Sequence, residues 1–276
     1  IVGGGFADTA EANHTLKHTA ISGISIGTAF HKSLLSIKDC KKLLKKKGNS
    51  MRIENNNLTD SKELDGIRIG VVDYGMGNQQ SLINALEHLG AKPHLSDKWL
   101  DLEKSDVLML PGVGAFPKGI QKLEERDLFN PLINWGKTDK ALIGICLGMQ
   151  MLFDESEEFG TTKGLGLISG NVRKIDTSKV DRQEHFPLPH MGWNQLILKD
   201  KKAKNQNISA EKYFVHSYAA HNVSNDLVLA TTAYANQHII SAVQSNNLVG
   251  FQFHPERSGP SGLRLLEKTI LDLVEN

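Results

Sequence analysis

A cysteine inside a glycine-flanked turn is the residue pattern of this chain that points most directly to chemistry. Cys146 stands in the segment Gly-Ile-Cys-Leu-Gly, after a short apolar run and before a segment of helical character. Such a strand–turn–helix layout is typical of a nucleophile elbow, whose tight turn requires small residues on both sides of the nucleophile. Gly144 and Gly148 meet that requirement. The sequence therefore predicts a thiol presented at the end of a strand.

Two residues far downstream complete a set for thiol chemistry. His254 and Glu256 lie in the segment Gln-Phe-His-Pro-Glu, which follows a predicted strand. A histidine can act as the base for a cysteine nucleophile, and a carboxylate can orient that histidine. In an extended segment, residues two apart leave from the same side, so both are expected to face one site. A buried cysteine alone is more often a packing residue, and only the combination with His254 and Glu256 favours catalysis.

These segments resemble the class I glutamine amidotransferases, and four further segments narrow the resemblance. They are Asp-Tyr-Gly-Met-Gly-Asn from residue 73, Leu-Pro-Gly-Val-Gly-Ala-Phe from 110, Pro-His-Met-Gly-Trp-Asn from 189 and Phe-Val-His-Ser-Tyr from 214. Together, from about residue 67 onwards, they are similar to the glutaminase subunits of imidazole glycerol phosphate synthase. The resemblance implies that Cys146 cleaves the side-chain amide of glutamine through a thioester. It also implies that ammonia passes to a TIM-barrel cyclase in a heterodimer of histidine biosynthesis.

The resemblance assigns roles to residues around the triad. Oxyanion stabilisation is expected from a loop after a buried strand and from the residue after the nucleophile: Gly112, Val113, Gly114 and Leu147. A peptide of that loop is expected to flip before it can donate, which would make the loop a switch. Glutamine binding is expected from Gln150 and Glu158, on the helix after the nucleophile, and from His216, Ser217 and Tyr218. The surface for the cyclase partner is expected to include Tyr74, Met76, Asn78, His190, Trp193 and Arg257.

Alternatives remain open at this point. Glu158 lies in an acidic stretch that also suits a solvated face, His216 also suits a buried hydrogen-bonded histidine, and Trp193 also suits the core. Relatives of this enzyme pair amidate a bacterial surface sugar instead of building histidine. A non-catalytic activator of the barrel partner is a further alternative, although the intact triad argues against it.

Composition limits the classes of function. The 276 residues carry a net charge of +1, which does not suggest nucleic-acid binding, and no apolar run approaches the length of a membrane span. Two cysteines form no disulfide framework, and a reactive thiol favours the reducing cytoplasm. The second cysteine, Cys40, shares a predicted helix face with Ile37 and Leu44, which indicates a packing role. No metal-ligand cluster and no Gly-x-Gly-x-x-Gly motif is evident, so neither a metal nor a cofactor is expected.

Strands and helices alternate from residue 66, which predicts an α/β fold with a mainly parallel sheet and helices on both faces, as in class I glutamine amidotransferases. Strands are predicted at Ile67–Val72, Val107–Leu110, Ala141–Ile145, Val172–Ile175, Asn194–Leu198, Tyr213–His216, Leu227–Thr232, Ile239–Gln244 and Val249–His254. Helices are predicted at Gln79–Leu89, Leu147–Glu158 and Ser261–Val274, and Ile120–Trp135 is predicted to be mostly helical.

The first 50 residues resemble the last two β/α units of the cyclase subunit of the same synthase. The loops after their two strands carry Gly4, Gly5, Gly27 and Thr28, which would form a vestigial phosphate site. Most of the barrel is missing from the sequence, so cyclase activity is not expected. Residues 51–65 are predicted to be a linker, and 66–276 the amidotransferase domain. Because the first residue is Ile1, the chain is expected to derive from a longer one.

Overall fold

The computed structural model describes residues 2–3, 24–25, 64–77, 79–178, 186–199 and 211–275. The chain divides into two units, residues 1–57 and 58–276. In the first unit, β1 (Val2–Gly3) and β2 (Ile24–Ser25) form a parallel pair. The residues predicted to form a vestigial phosphate site, namely Gly4, Gly5, Gly27 and Thr28, lie outside the described residues. The barrel resemblance and its phosphate site therefore stay predictions.

The second unit contains strands and helices in alternation through its first half. Its strands are β3 (Ile69–Val72), β4 (His94–Ser96), β5 (Val107–Gly112), β6 (Ala141–Cys146), β7 (Phe153–Ser156), β8 (Thr162–Lys163), β9 (Ile168–Lys174), β10 (His190–Asn194), β11 (Ile197–Leu198), β12 (Lys212–His216), β13 (Tyr218–His221), β14 (Val228–Tyr234), β15 (Gln237–Ser245) and β16 (Leu248–Phe251). Its helices are α1 (Gln79–His88), α2 (Trp99–Leu102), α3 (Phe116–Glu124), α4 (Phe129–Gly136), α5 (Leu147–Met151) and α6 (Gly259–Val274).

An eight-stranded sheet forms the centre of this unit, in the order β4-β3-β5-β6-β16-β15-β14-β11. The first five strands are parallel, and the last three run antiparallel. From β3 the chain passes to β4, which is the neighbour of β3 on one side, and then to β5, which is its neighbour on the other side. The loops after β3 and β5 therefore diverge and leave a crevice at the carboxyl ends of the strands, where parallel sheets usually bind ligands.

The central strands read as unbroken apolar runs because helices cover both faces of the sheet. Every residue of β3, β5 and β6 is buried. Alternate residues point to opposite faces: Val107 and Met109 pack in the layer that includes α1 and α6, whereas Leu108 and Leu110 pack in the layer of α3 and α4. Smaller sheets, of strands β13-β9-β7-β8 and β10-β12, complete the unit. Among the helices that the structure describes, none has the length and hydrophobicity of a membrane span.

The predicted fold class is confirmed, but one predicted helix is wrong in extent. The helix after the nucleophile ends at Met151 rather than Glu158, because β7 follows and pairs with β9. Phe153 and Ser156 are both buried although they are three residues apart, and the pairing of β7 with β9 is irregular between Phe153 and Glu155. The span Ile120–Trp135, predicted to be mostly helical, contains most of α3 and α4, which are separated by a turn with Asp127 at φ 55°.

Candidate active site

The nucleophile elbow holds Cys146 in a strained conformation. Cys146 ends β6 directly before α5, with φ 55° and ψ −110°, which a residue with a side chain rarely adopts. Packing around the turn leaves no room for further side chains. A Cβ atom on Gly148 would lie 1.7 Å from the carbonyl oxygen of Leu110, and one on Gly144 would lie 2.8 Å from the backbone of Gly148. The two glycines therefore allow the close backbone approach on which the elbow depends.

His254 and Glu256 form a buried pair beside the elbow. The strand that precedes them, β16, is the direct neighbour of β6, which brings the segment after β16 next to the turn at Cys146. Nδ1 of His254 lies 2.7 Å from Oε1 of Glu256. The two residues meet through a 3₁₀ turn over Pro255–Arg257 rather than along an extended segment, because the chain turns at Pro255. Two hydrogen bonds fix the His254 backbone. Its amide donates to the Tyr213 carbonyl at 2.9 Å, and its carbonyl accepts from Ser258 Oγ at 2.6 Å.

The electrostatic environment favours a charged imidazole. Burial lowers the pKa of His254, but the neighbouring side chains of Cys146 and Glu256 outweigh burial and raise this pKa to about 10. The Nε2 atom of His254 has no hydrogen-bond partner among the described residues, so it can exchange a proton with a neighbouring group. An imidazolium next to a cysteine favours the thiolate, which is the reactive form of the thiol.

The loop after β5 lies against the elbow. Gly112 is paired with Cys146 across the two strands. A Cβ atom on Gly112 would lie 2.2 Å from the Tyr74 hydroxyl and 2.9 Å from Leu147 Cβ, so only glycine fits. Gly114 has φ 102°, and Val113 between them is 40% exposed. All four residues predicted for the oxyanion site are therefore near the sulfur, and their role as donors stays a prediction.

One cleft of about 290 Å³ joins the sulfur to the predicted substrate residues. Its walls include Val113, Gly114, Cys146, Leu147, Gln150, Glu158, His216, Ser217 and Tyr218, together with Pro189 and Val215. A larger, mainly apolar cavity of about 640 Å³ lies between the antiparallel strands and α6, but no cysteine, serine or histidine lines it. No group of three or more metal-ligating side chains comes together within the described ranges. The smaller cleft is therefore the candidate active site.

Glu158 reaches the cleft by a different route from the one that the sequence suggested. It lies beyond β7 and not on the elbow helix, because that helix stops at Met151. Its Oε2 accepts a hydrogen bond of 2.7 Å from the backbone amide of Phe116, the first residue of α3. A carboxylate at this position stabilises the start of a helix. Glu158 is thus tied to the far end of the loop after β5 (residues 113–115), which we call the oxyanion loop after its predicted role.

The side chain of His216 is a buried, fully hydrogen-bonded histidine. Its Nδ1 lies 2.8 Å from the Tyr218 carbonyl, and its Nε2 lies 3.1 Å from Nδ1 of His190. Burial lowers the pKa of His216 to about 3 and that of His190 to about 4, so both rings are neutral. With both ring nitrogens engaged, His216 can reach a ligand only through its main chain.

The residues predicted to face a partner separate into exposed and buried groups. Trp193 is 45% exposed, Arg257 is exposed and Met76 is half-buried. Tyr74 and His190 are buried, which corrects their assignment to the surface. Residues alternate along β10, so Met191 and Trp193 point outwards, while His190 points inwards and stacks on Phe214 and Tyr234. Asn78 lies outside the described residues.

One residue at the sulfur was not assigned from the sequence. Gln252 is completely buried, and its Nε2 lies 3.9 Å from the Sγ of Cys146. Its position two residues before His254, within the same motif, was the available indication. The fold brings Gln252 to the sulfur because β16 pairs with β6.

Comparison with known proteins agrees with this geometry. The family model of class I glutamine amidotransferases matches residues 70–273. A curated protein of Bacillus cytotoxicus, named imidazole glycerol phosphate synthase subunit HisH, is 43% identical over 201 residues, which is 72% of this chain and 91% of that protein. A protein of the same name from a Geobacillus species is 42% identical over 200 residues, 72% of this chain and 94% of that protein. The chain belongs to the HisH family of class I glutamine amidotransferases.

Solved structures show the amidotransferase fold at lower identity. One described as a glutamine amidotransferase is 18% identical, with a TM-score of 0.58, and it covers 75% of this chain and 99% of that one. The structure of PurLQS from Thermotoga maritima is 20% identical, with a TM-score of 0.55, and it covers 75% of this chain and 98% of its own. The match to the family model begins at residue 70, so it does not bear on residues 1–57.

Proposed function

We propose that this HisH-family chain is the glutaminase subunit of an imidazole glycerol phosphate synthase, which hydrolyses glutamine and delivers ammonia to a cyclase partner. The observation that carries the proposal is the arrangement of one cleft. A cysteine in a strained elbow lines it, and a buried His254–Glu256 pair joined at 2.7 Å lies beside the elbow. The curated relatives support the pathway, since those compared above are named as subunits of this synthase.

The first half of the reaction forms a thioester and releases ammonia. The Cys146 sulfur attacks the side-chain amide carbon of glutamine, and His254 holds the proton that the thiol has given up. The carbonyl oxygen becomes an oxyanion, which needs donors such as the amides of Val113 or Leu147. When the carbon–nitrogen bond breaks, His254 gives its proton to the leaving nitrogen, so that ammonia departs and a glutamyl thioester remains on Cys146.

The second half restores the enzyme. His254 accepts a proton from a water molecule as that water attacks the thioester carbon. The carbon–sulfur bond breaks, and the products are glutamate and the Cys146 thiolate, which faces the protonated His254 again. Glu256 orients the imidazole in both halves, because its Oε1 is already 2.7 Å from Nδ1.

Glutamine would bind in the cleft, and the partner would bind at the exposed surface of β10. The cleft offers main-chain groups at Ser217, and Gln150 lines its wall. The exposed side chains of Met191 and Trp193 suit a protein interface, where aromatic and methionine residues are enriched. Ammonia made beside that surface would enter the cyclase rather than the solvent. The cytoplasm remains the predicted compartment because the reaction needs a free thiol.

The direct test compares glutamine with free ammonia as the nitrogen source. In the presence of a histidine-pathway cyclase subunit, the wild-type chain should release glutamate and support the cyclase reaction. Cys146→Ala should lose glutamate release and leave the ammonia-dependent reaction unchanged. Cys40→Ser is the matched control, since it removes the other cysteine of the chain and should retain both activities. Glutamate release by Cys146→Ala at the wild-type rate would contradict the proposal.

A further inference from the structure

A chain of buried amides leads from a backbone carbonyl to the reactive sulfur. Nε2 of Gln150 donates one hydrogen bond of 2.8 Å to the Tyr218 carbonyl and a second of 3.0 Å to Oε1 of Gln252. Nε2 of Gln252 then lies 3.9 Å from the Sγ of Cys146. Both glutamine side chains are buried. Water therefore has little access to the contact between Gln252 and the sulfur.

The polarity of this chain is fixed at its far end. A backbone carbonyl can only accept, so the group of Gln150 that faces Tyr218 must be its amino group. That amino group also faces Gln252, which must then present its oxygen to Gln150. The remaining end of the Gln252 carboxamide is its amino group, and it faces Cys146. Reversal of either amide would place two acceptors or two donors together in a buried site, which is unfavourable.

Besides the histidine, one hydrogen-bond acceptor and one hydrogen-bond donor lie near the sulfur. The Val215 carbonyl lies 3.9 Å from Sγ and can accept a hydrogen bond only from a protonated thiol. The Gln252 amino group can donate, and such a donor stabilises a thiolate more than a thiol. When the thiol loses its proton, the hydrogen bond to the Val215 carbonyl is therefore lost and the one from the Gln252 amino group is strengthened. The distance of 3.9 Å is long for this bond, as is usual for catalytic contacts before substrate binds.

We infer that Gln252 is a further residue of the catalytic machinery, whose side-chain N–H supports the Cys146 thiolate, and that Gln150 is a positioning residue that orients Gln252. This inference rests on the proposed role of Cys146 as nucleophile. It adds a donor to the sulfur that is distinct from the imidazole of His254. It also gives Gln150 a task besides lining the substrate cleft, because both of its N–H groups are already engaged within the protein.

The test measures the reactivity of the thiol without glutamine. The full-length chain is treated with iodoacetamide over a range of pH, and alkylation of the Cys146 peptide is followed by mass spectrometry, which separates it from Cys40. In Gln252→Met the donor is lost while the volume is nearly kept. We expect its alkylation rate near neutral pH to fall about tenfold and its pH profile to move to higher pH by about one unit. Gln150→Met should change both in the same direction by less.

Two further variants separate this role from a general effect on packing. Gln252→Glu keeps an acceptor for Gln150 but places a carboxylate at the sulfur, so it should shift the profile to higher pH at least as far as Gln252→Met. Gln244→Met is the matched control, because Gln244 is exposed and donates to the Asn246 carbonyl. It should leave the profile unchanged. A wild-type profile in folded Gln252→Met or Gln252→Glu, with folding checked by thermal unfolding, would overturn the inference.

A measurement on the wild-type protein covers the case in which the variants do not fold. In a chain labelled with ¹⁵N on glutamine side chains, the amide protons of Gln252 should shift over the pH range in which Cys146 becomes reactive. Alkylation of Cys146 should abolish that shift, and absence of any shift would contradict the inference. Failure of the glutaminase proposal would be seen separately, in the assay of glutamate release, since none of these measurements uses glutamine.

Discussion

The nucleophile elbow and the oxyanion loop lie on neighbouring parallel strands, yet they are built in opposite ways. Gly112 is paired with Cys146, so the two segments start from the same level of the sheet. The elbow is tightly packed at its glycines: at Gly148, a Cβ atom would lie 1.7 Å from the backbone oxygen of Leu110. The loop opens towards solvent, with Val113 40% exposed. At Gly114, the nearest obstacle is the mobile end of Met76, at 2.9 Å.

The difference indicates where control of this site can act. The position of the sulfur is set by the buried core and cannot change without loss of packing. The loop is held mainly at its ends, by Gly112 beside Tyr74 and by Phe116 bonded to Glu158. Because the flexible end of the Met76 side chain is what lies close to Gly114, the loop can adjust while the nucleophile stays in place. We expect substitutions in the elbow to affect folding first, and substitutions in the loop to affect the rate first.

The largest effect is expected for Gly148→Ala. Its Cβ atom would overlap the carbonyl oxygen of Leu110 in the core, so the free energy of unfolding should fall by about 3 kcal/mol or more. Glutamate release should be lost with it. Denaturant unfolding of the variant and the wild type measures the first effect. Stability within about 0.5 kcal/mol of wild type would show that the elbow is not the rigid element described above.

Glu256→Gln tests the buried His254–Glu256 pair, which lies beside the rigid elbow. The folded-state pKa of His254 is raised to about 10 from an ordinary value of 6.5. Stabilisation by the charged pair is therefore complete below about pH 6.5 and is lost as the pH rises towards 10. The variant should be less stable than wild type by about 2 kcal/mol near pH 6, because a hydrogen bond between charged groups is weakened.

The same comparison at higher pH supplies the control for Glu256→Gln. As the imidazole loses its charge, the difference in unfolding free energy between the two proteins should shrink. Urea unfolding at several pH values from about 6 to about 11, a range that extends past the folded-state pKa of His254, measures this trend. A difference that stays constant or grows with pH would mean that the pair is neutral in the folded protein.

Gly114→Ala tests the adjustable side. The positive φ of this residue is strained for alanine, so the free energy of unfolding should fall by only about 1 kcal/mol, less than for Gly148→Ala. The partner-stimulated rate of glutamate release should fall more, by up to about a hundredfold if the loop presents an oxyanion donor. Steady-state assays with the partner measure this rate. An unchanged rate would remove the loop from the mechanism.

The smallest effect is expected for Tyr74→Phe, at the boundary of the two regions. The Tyr74 hydroxyl is buried against Gly112 and has no hydrogen-bond partner among the described residues. Burial raises the pKa of this hydroxyl, so it is neutral. Its removal should leave stability unchanged or raise it by about 1 kcal/mol, since an unpaired buried polar group is unfavourable. Thermal unfolding is the measurement, and a clear loss of stability would show that the hydroxyl has a partner in solution.

Local requirements made the elbow and the central strands predictable from the sequence. The pattern of small residues on both sides of Cys146 is a local feature of the turn, and strands buried on both faces need continuous apolar residues. The predictions failed where contacts with segments remote in sequence determine the local structure. The acidic stretch before Glu158 suits a helix by itself, but pairing of β7 with β9 makes it a strand. Burial of Tyr74 and the contact of Gln252 with the sulfur likewise depend on neighbours that are remote in sequence.

The central claim is that Cys146 carries the glutamyl group during catalysis, and acid quenching tests it most directly. The wild-type chain with its cyclase partner is mixed with glutamine, quenched in acid within the first turnovers and digested for mass spectrometry. The account predicts a glutamyl adduct on the Cys146 peptide, which is absent from Cys146→Ala and lost as glutamate appears. Glutamate formation at the full rate without an adduct at Cys146, or with the adduct on another residue, would contradict it.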